Sequence, residues 1–288
     1  MPVGTEFSQD NVREYSQSRT LVLLLGAGGL FLVVFFIAPM FFVLAESFRG
    51  EDGGFTFSRY IMVLKDEQFG NVYLRTIKMA LIVTPLAVLM GYPAAYLLLK
   101  IKPSRKAILT SLVILPLMTS PVARTYAWIV ILGRFGIVNQ TLGFLRITKE
   151  PVQLLYTEGA IIVGLLQLFL PLMVLNLISA LENVPVEVEE AAQSLGSNRL
   201  GAFFRMVVPL SFDGLIMGST LVFTGCITAY VTPAMLGGTR VLTLATLMRQ
   251  QALSLMNWEV ATAIALFMII TTTVLHTVLR HFRPGNQK

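Results

Sequence analysis

Apolar residues in this chain gather into six long runs that are separated by polar segments. A membrane helix needs about 20 apolar residues to cross ~30 Å of hydrocarbon, and each run is close to that length. The pattern therefore predicts an all-α polytopic membrane protein with six transmembrane helices. The predicted spans are 21–44, 76–99, 107–132, 160–181, 215–236 and 260–279.

These spans make up one transmembrane domain over 21–281, between an N-terminal tail (1–20) and a C-terminal tail (282–288). The first run would be about 36 Å long as a helix, which exceeds the apolar region of a signal peptide. No small-residue cleavage site follows it, so we expect it to be retained as the first span.

Orientation depends on the short loop that follows the second span. This loop carries the densest cluster of cations, namely Lys100, Lys102, Arg105 and Lys106. Short loops rich in Lys and Arg stay in the cytoplasm, which places both tails and the segment 183–209 there too. Over the whole chain, however, the lysines and arginines divide equally between the two faces.

Composition agrees with a membrane protein and excludes other classes. Of 288 residues, 55% are hydrophobic and 13% are charged, whereas soluble domains carry about 25% charged residues. The net charge is +6, but no basic stripe with interleaved aromatic residues occurs, so nucleic acid is not an expected partner. Cys226 is the only cysteine, so no disulfide can form within the chain.

The third predicted span carries polar groups beside two prolines. Thr119 and Ser120 lie between Pro116 and Pro121, and Arg124 follows. An arginine within a span is a functional candidate by default, and these three polar residues are candidates for the solute pathway or its gate. Arg124 also fits a residue that reaches the membrane interface, beside the aromatic side chains that follow it.

The fifth predicted span is the most polar and is the first candidate for a helix that faces the pathway. Thr224 and Thr228 are the residues that we select there. Gly214 and Gly218 form a G-x-x-x-G pair, which allows another helix to approach closely. In the fourth span, Asn176 fits either a face turned toward water or hydrogen bonding between helices.

The sequence lacks the motifs of several enzyme classes. It contains no G-x-x-x-x-G-K-[ST] phosphate loop, no H-E-x-x-H zinc motif and no G-x-S-x-G nucleophile elbow. No pair of carboxylates lies within the spans, which disfavours a membrane enzyme and a proton-coupled transporter. We therefore assign no catalytic, cofactor-binding or metal-binding residue.

The segment 183–209, here called the elbow, is the longest charged segment with a helical pattern. Asn183 could cap a first helix, Gly196 would end it, and Ser197 or Asn198 would begin a second helix that Pro209 closes. The apolar face of the first helix would consist of Val188, Ala191, Ala192 and Leu195. On pattern alone, the elbow also fits an ordinary amphipathic surface loop.

The spacing of residues in the elbow resembles the EAA signature of ABC importer permeases. The residues that carry the resemblance are Glu190, Ala191, Ala192, Gly196 and Pro209. Met206 and Val208 replace the isoleucine and leucine of the signature. In that family, the elbow is the coupling helix that docks on the ATP-hydrolysing subunit, so the resemblance implies that these five residues couple the chain to its ATPase.

The six-span layout is similar to the type I ABC importer permease fold over nearly the whole chain. The resemblance implies a transport subunit of the bacterial inner membrane, with ATP bound and hydrolysed on a separate partner and no cofactor here. Its implied partners are two copies of an ATP-binding subunit, a second homologous permease and a periplasmic solute-binding protein. Alternating access is the implied mechanism.

A narrower resemblance concerns the solute. The segments Arg124-Thr125-Tyr126-Ala127-Trp128 and Gly136-Ile137-Val138-Asn139 look like those of spermidine/putrescine importer permeases. They imply a polyamine solute. Related permeases carry iron, thiamine, phosphonates or opines, so these solutes remain alternatives. A secondary transporter or a membrane scaffold subunit is a less favoured interpretation.

Overall fold

The computed structural model describes residues 25–48, 54 and 56–281, so the predicted tails 1–20 and 282–288 lie outside the described residues. Over the described part, the secondary structure is helical, with no strand. The chain divides into two compact units, Met1–Arg59 and Tyr60–Lys288.

The first unit contains the first predicted span. Residues 25–47 form one helix (α1), which includes a π-helical turn at Val33–Ile37. The window Leu25–Phe42 has a mean hydropathy of 2.3, and none of it is buried inside the protein. A helix that is apolar on all sides is suited to lipid rather than water, which agrees with a membrane span.

The helices that follow α1 are α2 (Ser58–Lys65), α3 (Glu67–Leu99), α4 (Pro103–Met118), α5 (Pro121–Leu132), α6 (Ile137–Phe144), α7 (Glu158–Glu182), α8 (Val186–Ser194), α9 (Arg199–Leu210), α10 (Phe212–Thr228), α11 (Val231–Gly237), α12 (Leu244–Arg249) and α13 (Trp258–His281). Within the described residues, five helical stretches are long and apolar enough to cross a membrane. A sixth is added if α9 and α10, which are bent by 70°, count as one span.

The core of the second unit lies where α3, α7 and α10 pack against one another. Its fully buried side chains include Met79 on α3, Leu165 on α7 and Val222 on α10. Glycines on α10 allow this packing, because a Cβ placed on Gly214 would lie 2.1 Å from Cβ of Ala180 on α7. The close approach that the G-x-x-x-G pair predicts is therefore present.

The third and fifth predicted spans are each broken into two helices. The backbone is extended at Thr119, with φ −90° and ψ 149°, and Pro121 begins α5. A proline lacks a backbone donor and disfavours helical geometry in the residue before it, so the helix restarts here. The predicted fifth span likewise ends at Thr228, and α11 follows after an extended Ala229.

Two segments that lie between predicted spans are helical, and one of them is buried. The segment between the first and second predicted spans contains α2, and α3 begins at Glu67 rather than at the predicted 76. In the segment 237–258, α12 is not a surface helix, since Leu244 and Leu247 are buried. The amide of Leu244 donates to Oγ1 of Thr76 on α3 at 3.0 Å, which ties α12 into the bundle.

Candidate functional site

The elbow consists of two separate helices, α8 and α9. The first, α8, follows Pro185, whereas Asn183 is the last residue associated with α7. The expected capping role of Asn183 is therefore wrong. Asn198 caps α9, because its side chain accepts a hydrogen bond of 2.7 Å from the amide of Gly201. An N-cap residue stabilises a helix in this way, because its side chain accepts a hydrogen bond from an N–H group that has no partner within the helix.

Gly196 ends α8 with a left-handed backbone, at φ +92°. The amide of Ser197 donates to the carbonyl of Ala192, and that of Gly196 donates to the carbonyl of Gln193, both at 3.0 Å. These two bonds define a Schellman motif. A Cβ on Gly196 would meet nothing within 4 Å, so the backbone conformation, not a lack of space, explains the glycine.

Pro209 lies inside α9 and does not close it. The helix runs on to Leu210 and includes a π-helical turn at Phe203–Val207. The 70° bend into α10 occurs at Ser211. The Ser211 hydroxyl donates to the carbonyl of Val207 at 2.8 Å and also contacts the hydroxyl of Tyr92 on α3. Ser211 and Tyr92 therefore fix the point at which the chain turns.

The elbow leaves three large apolar side chains uncovered, one at the end of α8 and two on α9. Leu195 is 90% exposed, Leu200 is 70% exposed and Phe204 is 64% exposed. Of the five predicted coupling residues, Ala192 is half-buried and the other four are exposed, namely Glu190, Ala191, Gly196 and Pro209. An exposed apolar patch with a polar rim is typical of a protein–protein interaction site.

The inner surface of the elbow is held by the last turns of α3. Lys100 Nζ lies 2.9 Å from Oε1 of Glu189, and the Tyr96 hydroxyl donates to the same oxygen at 2.7 Å. The Lys100 ammonium also lies over the Tyr96 ring, 4.2 Å from its centre. Three side chains from two distant segments thus form one charged cluster.

Electrostatics favours the ionised form of this cluster. Burial raises the pKa of the Glu189 carboxyl, but the hydrogen bonds from Lys100 and Tyr96 outweigh it and leave the pKa below its usual value. Burial also lowers the pKa of Lys100, whereas the hydrogen bonds to Tyr96 and Glu189 raise it, and the net direction is upward. Both groups are therefore charged at neutral pH.

Aromatic packing adds a second attachment between α3 and the elbow. Phe203 packs edge-on against Tyr96 and Tyr92, with ring centres 4.8 and 5.3 Å apart. Such pairs contribute about 0.5–1.5 kcal/mol each beyond simple burial. The contacts of Tyr96, Lys100 and Glu189 were not predicted. The one available signal was the opposite charge of Lys100 and Glu189, which lie 89 residues apart.

A second candidate site is a groove along α10, of about 750 Å³. Its polar lining consists of Asn176, Asp213, Thr220, Thr224, Thr228 and His276. Phe169, Ile216 and Met217 supply apolar surface. From Asp213 to Thr228 the helix rises about 23 Å, so the groove extends over most of the thickness of a bilayer core.

The candidate pathway residues fall into two groups in the structure. Thr224 and Thr228 line the groove, whereas Thr119, Ser120 and Arg124 do not. Thr119 and Ser120 lie at the break between α4 and α5, and Arg124 lies near the start of α5. The Nε and Nη1 atoms of Arg124 are buried and have no hydrogen-bond partner within the described part of the chain. Among the same residues, no group of His, Cys, Asp or Glu could hold a metal ion.

The comparisons with known proteins agree with this architecture. The profile of the family described as "Binding-protein-dependent transport system inner membrane component" matches residues 84–288. The spermidine/putrescine transport system permease protein PotB of Haemophilus influenzae is 33% identical over 249 residues, which cover 85% of this chain and 87% of that protein. The molybdenum transport system permease protein ModB of Escherichia coli is 35% identical over 56% of this chain and 69% of that protein.

A solved structure has the same fold. A chain of a bacterial ABC transporter involved in the import of the acidic polysaccharide alginate superposes with a TM-score of 0.72. The match covers 97% of this chain and 100% of that chain, at 17% identity. The predicted ABC importer permease fold is thereby confirmed. The chain belongs to the family of binding-protein-dependent transport system inner membrane components and is a permease subunit.

Proposed function

We propose that this permease serves a polyamine importer, with spermidine or putrescine as its solute. The observation that supports this choice is the similarity to a spermidine/putrescine permease over 85% of the chain. The similarity to a molybdenum permease covers only 56% of the chain, so an oxyanion solute is the second candidate. In this proposal, a periplasmic binding protein delivers the polyamine, and a second homologous permease completes the pathway.

ATP is bound and hydrolysed on two copies of a partner subunit, one of which docks on this elbow from the cytoplasm, where both termini also lie. The uncovered apolar surface of Leu195, Leu200 and Phe204 supports this docking, because such a surface is costly to leave in water. Glu190 and Ala191 are exposed as well, so they are accessible to a partner that docks on the elbow.

Coupling requires the elbow to move as a unit with the membrane helices. The cluster of Tyr96, Lys100 and Glu189 supports this role, because it attaches the elbow to the end of α3. Closure of the ATPase dimer would then tilt α3 and α10 together. Thr119, Ser120 and Arg124 are proposed to act at the outer gate, and Thr224 and Thr228 along the pathway.

Uptake of labelled spermidine and putrescine into cells that lack and regain this chain tests the solute. Uptake that returns with the chain supports the proposal, whereas restored molybdate uptake without polyamine uptake would refute it.

Docking is tested by copurification of the ATPase with Leu195→Ser. Leu145→Ser is the matched control, since Leu145 is also an exposed leucine but lies beyond the end of α6. We expect only Leu195→Ser to lose the ATPase. Equal copurification with both variants would count against docking on the elbow.

A further inference from the structure

The short helix α6 has the reverse of the arrangement that a helix shows in water, where polar side chains lie outside and apolar ones inside. Its outer face includes Ile137 and Phe144, which are 66% and 87% exposed. Its inner face includes Asn139, which is buried. Phe135 before the helix and Ile147 after it are exposed as well. Large apolar side chains on the outer face indicate that this face does not lie in water.

Asn139 holds the segment around α6 in this arrangement. Its side-chain nitrogen donates to the carbonyls of Gly133 and Val152, both at 3.0 Å. Its side-chain oxygen accepts from the amide of Val152 at 2.9 Å. These bonds close residues 133–152 from within, and this segment is here called the α6 loop. The buried amide therefore fixes the loop with its apolar side chains directed outward.

The α6 loop lies directly at the end of α5. A Cβ on Gly136 would lie 2.3 Å from the carbonyl oxygen of Ile131, so the loop packs against the last turn of that helix. Since α4 has 16 residues and α5 has 12, the two helices together rise about 42 Å. This length crosses ~30 Å of hydrocarbon even when the helices are tilted. The α6 loop therefore begins at a headgroup layer, on the side opposite the cation-rich loop 100–106.

Three cations accompany the apolar side chains of the α6 loop. Arg134 precedes α6, whereas Arg146 and Lys149 follow it, and all three are exposed. Glu150 is the one acidic residue between positions 133 and 152. In the part of the chain that the structure describes, none of the three cations takes part in a salt bridge. Their charges are therefore available to an anionic partner.

Arg146 occupies a backbone position that favours glycine. Its φ is +55°, and its amide donates to the carbonyl of Gly143 at 3.0 Å. The amide of Ile147 donates to the carbonyl of Leu142 at 3.0 Å, which completes a Schellman motif. In the elbow, Gly196 makes the equivalent turn. An arginine where glycine would make the turn more favourably indicates a role for the arginine side chain.

We infer that the α6 loop is an interfacial anchor, in which the apolar side chains enter the bilayer surface and the cations bind the phosphate groups of anionic lipids. Segments that lie in the membrane interface combine these two kinds of side chain. A docked protein would also cover the apolar side chains, and the experiment distinguishes the two partners. The inference goes beyond the proposed transport function and does not depend on the solute.

The experiment measures the depth of Phe144 in the membrane. Cys226→Ala gives a background without a native thiol, because Cys226 is the only cysteine of the chain. Phe144→Cys is labelled with a fluorophore, and the complete transporter is reconstituted into vesicles of phosphatidylcholine and phosphatidylglycerol. The signal of the background treated in the same way is subtracted. Phe35→Cys is the matched control, because Phe35 is also an exposed phenylalanine but lies within the apolar helix α1. Ile147→Cys is a second labelling position if Phe144→Cys does not assemble.

Lipids that carry a nitroxide quench the fluorophore according to its depth. At Phe144→Cys, we expect a nitroxide near the headgroup to quench more strongly than one at the end of the acyl chain. The reverse is expected at Phe35→Cys. At Phe144→Cys, the nitroxide near the headgroup should also quench at least about twofold more on phosphatidylglycerol than on phosphatidylcholine, because the cations attract anionic lipid. Phe35→Cys should show no such preference.

Arg146→Gly separates lipid binding from a structural role of the turn. Glycine suits a φ of +55°, so this variant should unfold no more readily than the wild type. Its preference for phosphatidylglycerol at the Phe144→Cys label should nevertheless fall, and it should be lost when Lys149→Gln is added.

Three results would overturn the inference. Strong quenching by iodide in the water, with none by either nitroxide lipid, would place the loop in water. Quenching by neither lipid nor iodide, or protection from iodide only when the periplasmic binding protein is added, would assign the surface to another protein. A phosphatidylglycerol preference that survives Arg146→Gly combined with Lys149→Gln would show that these cations do not bind the lipid.

Discussion

The contact between α7 and α10 gives the sharpest prediction, at Gly214. A Cβ there would lie 2.1 Å from Cβ of Ala180 and 3.2 Å from the carbonyl oxygen of Asn176. Two carbon atoms pack at about 3.5–4.0 Å, so Gly214→Ala would force the helices apart by more than ~1 Å at this point. Overpacking of this kind costs about 1–3 kcal/mol, and we expect a loss of that size.

The assay is thermal or denaturant unfolding in a mild detergent. Gly70→Ala is the matched control, because Gly70 lies in α3 and a Cβ added there would meet nothing within 4 Å. Alanine also favours the helix over glycine by up to ~1 kcal/mol. We expect Gly214→Ala to unfold more readily and Gly70→Ala to be unchanged or more stable.

Ala180→Gly should rescue Gly214→Ala, since it removes the atom that the new methyl group would meet. The double variant should be more stable than the sum of the single effects by about 1–2 kcal/mol. Strictly additive effects, or a Gly214→Ala variant as stable as the wild type, would refute the claim that these backbones are in contact.

Three further predictions concern the elbow and α12. Gly196→Pro, which removes the left-handed turn, should leave the chain inserted but abolish uptake while ATP hydrolysis continues, as parallel assays in proteoliposomes would measure; retained uptake would contradict it. The pKa of Glu189 is lower in the folded protein than in the unfolded chain, so the ionised carboxylate stabilises the folded state. This stabilisation is present above the unfolded pKa of about 4.3 and is lost as the pH falls through the folded pKa. Unfolding across that acidic range should therefore be less pH-dependent in Glu189→Gln, and identical profiles would contradict this. Thr76→Val should leave the buried amide of Leu244 unpaired at a cost of about 1–3 kcal/mol and speed hydrogen exchange in α12, whereas Thr84→Val, whose hydroxyl bonds only to its own helix, should not.

The sequence was sufficient to predict the features that depend on local chemistry. Gly196 was identifiable, and the cap of the second helix was narrowed to Ser197 or Asn198, because only certain residues suit a left-handed turn or an N-cap. The apolar runs likewise predict membrane helices, because lipid demands them wherever a chain crosses it. The EAA spacing then led to the family, which the comparisons confirm.

Features that depend on distant contacts could not be predicted. Hydropathy marks Leu244 and Leu247 as apolar but does not say that Thr76 on another helix pairs with the amide there. The attachment of Glu189 to Tyr96 joins residues 93 positions apart, and many other acid–tyrosine pairs were equally possible. Pro121 indicated the break at Thr119, yet the prolines inside α3 leave that helix continuous. A proline alone therefore does not determine whether a membrane helix is broken.

The glycine contacts of α10 also have a consequence for how the protein assembles during translation. α7 and α10 are consecutive membrane helices, and only the elbow lies between them in the sequence. When α10 leaves the ribosome, α3 and α7 are already in the bilayer, so the three-helix core can form while α13 is still being synthesised. Gly214 and Gly218 allow α10 to approach α7 closely enough for this early association, and α13 would then join a core that is already formed.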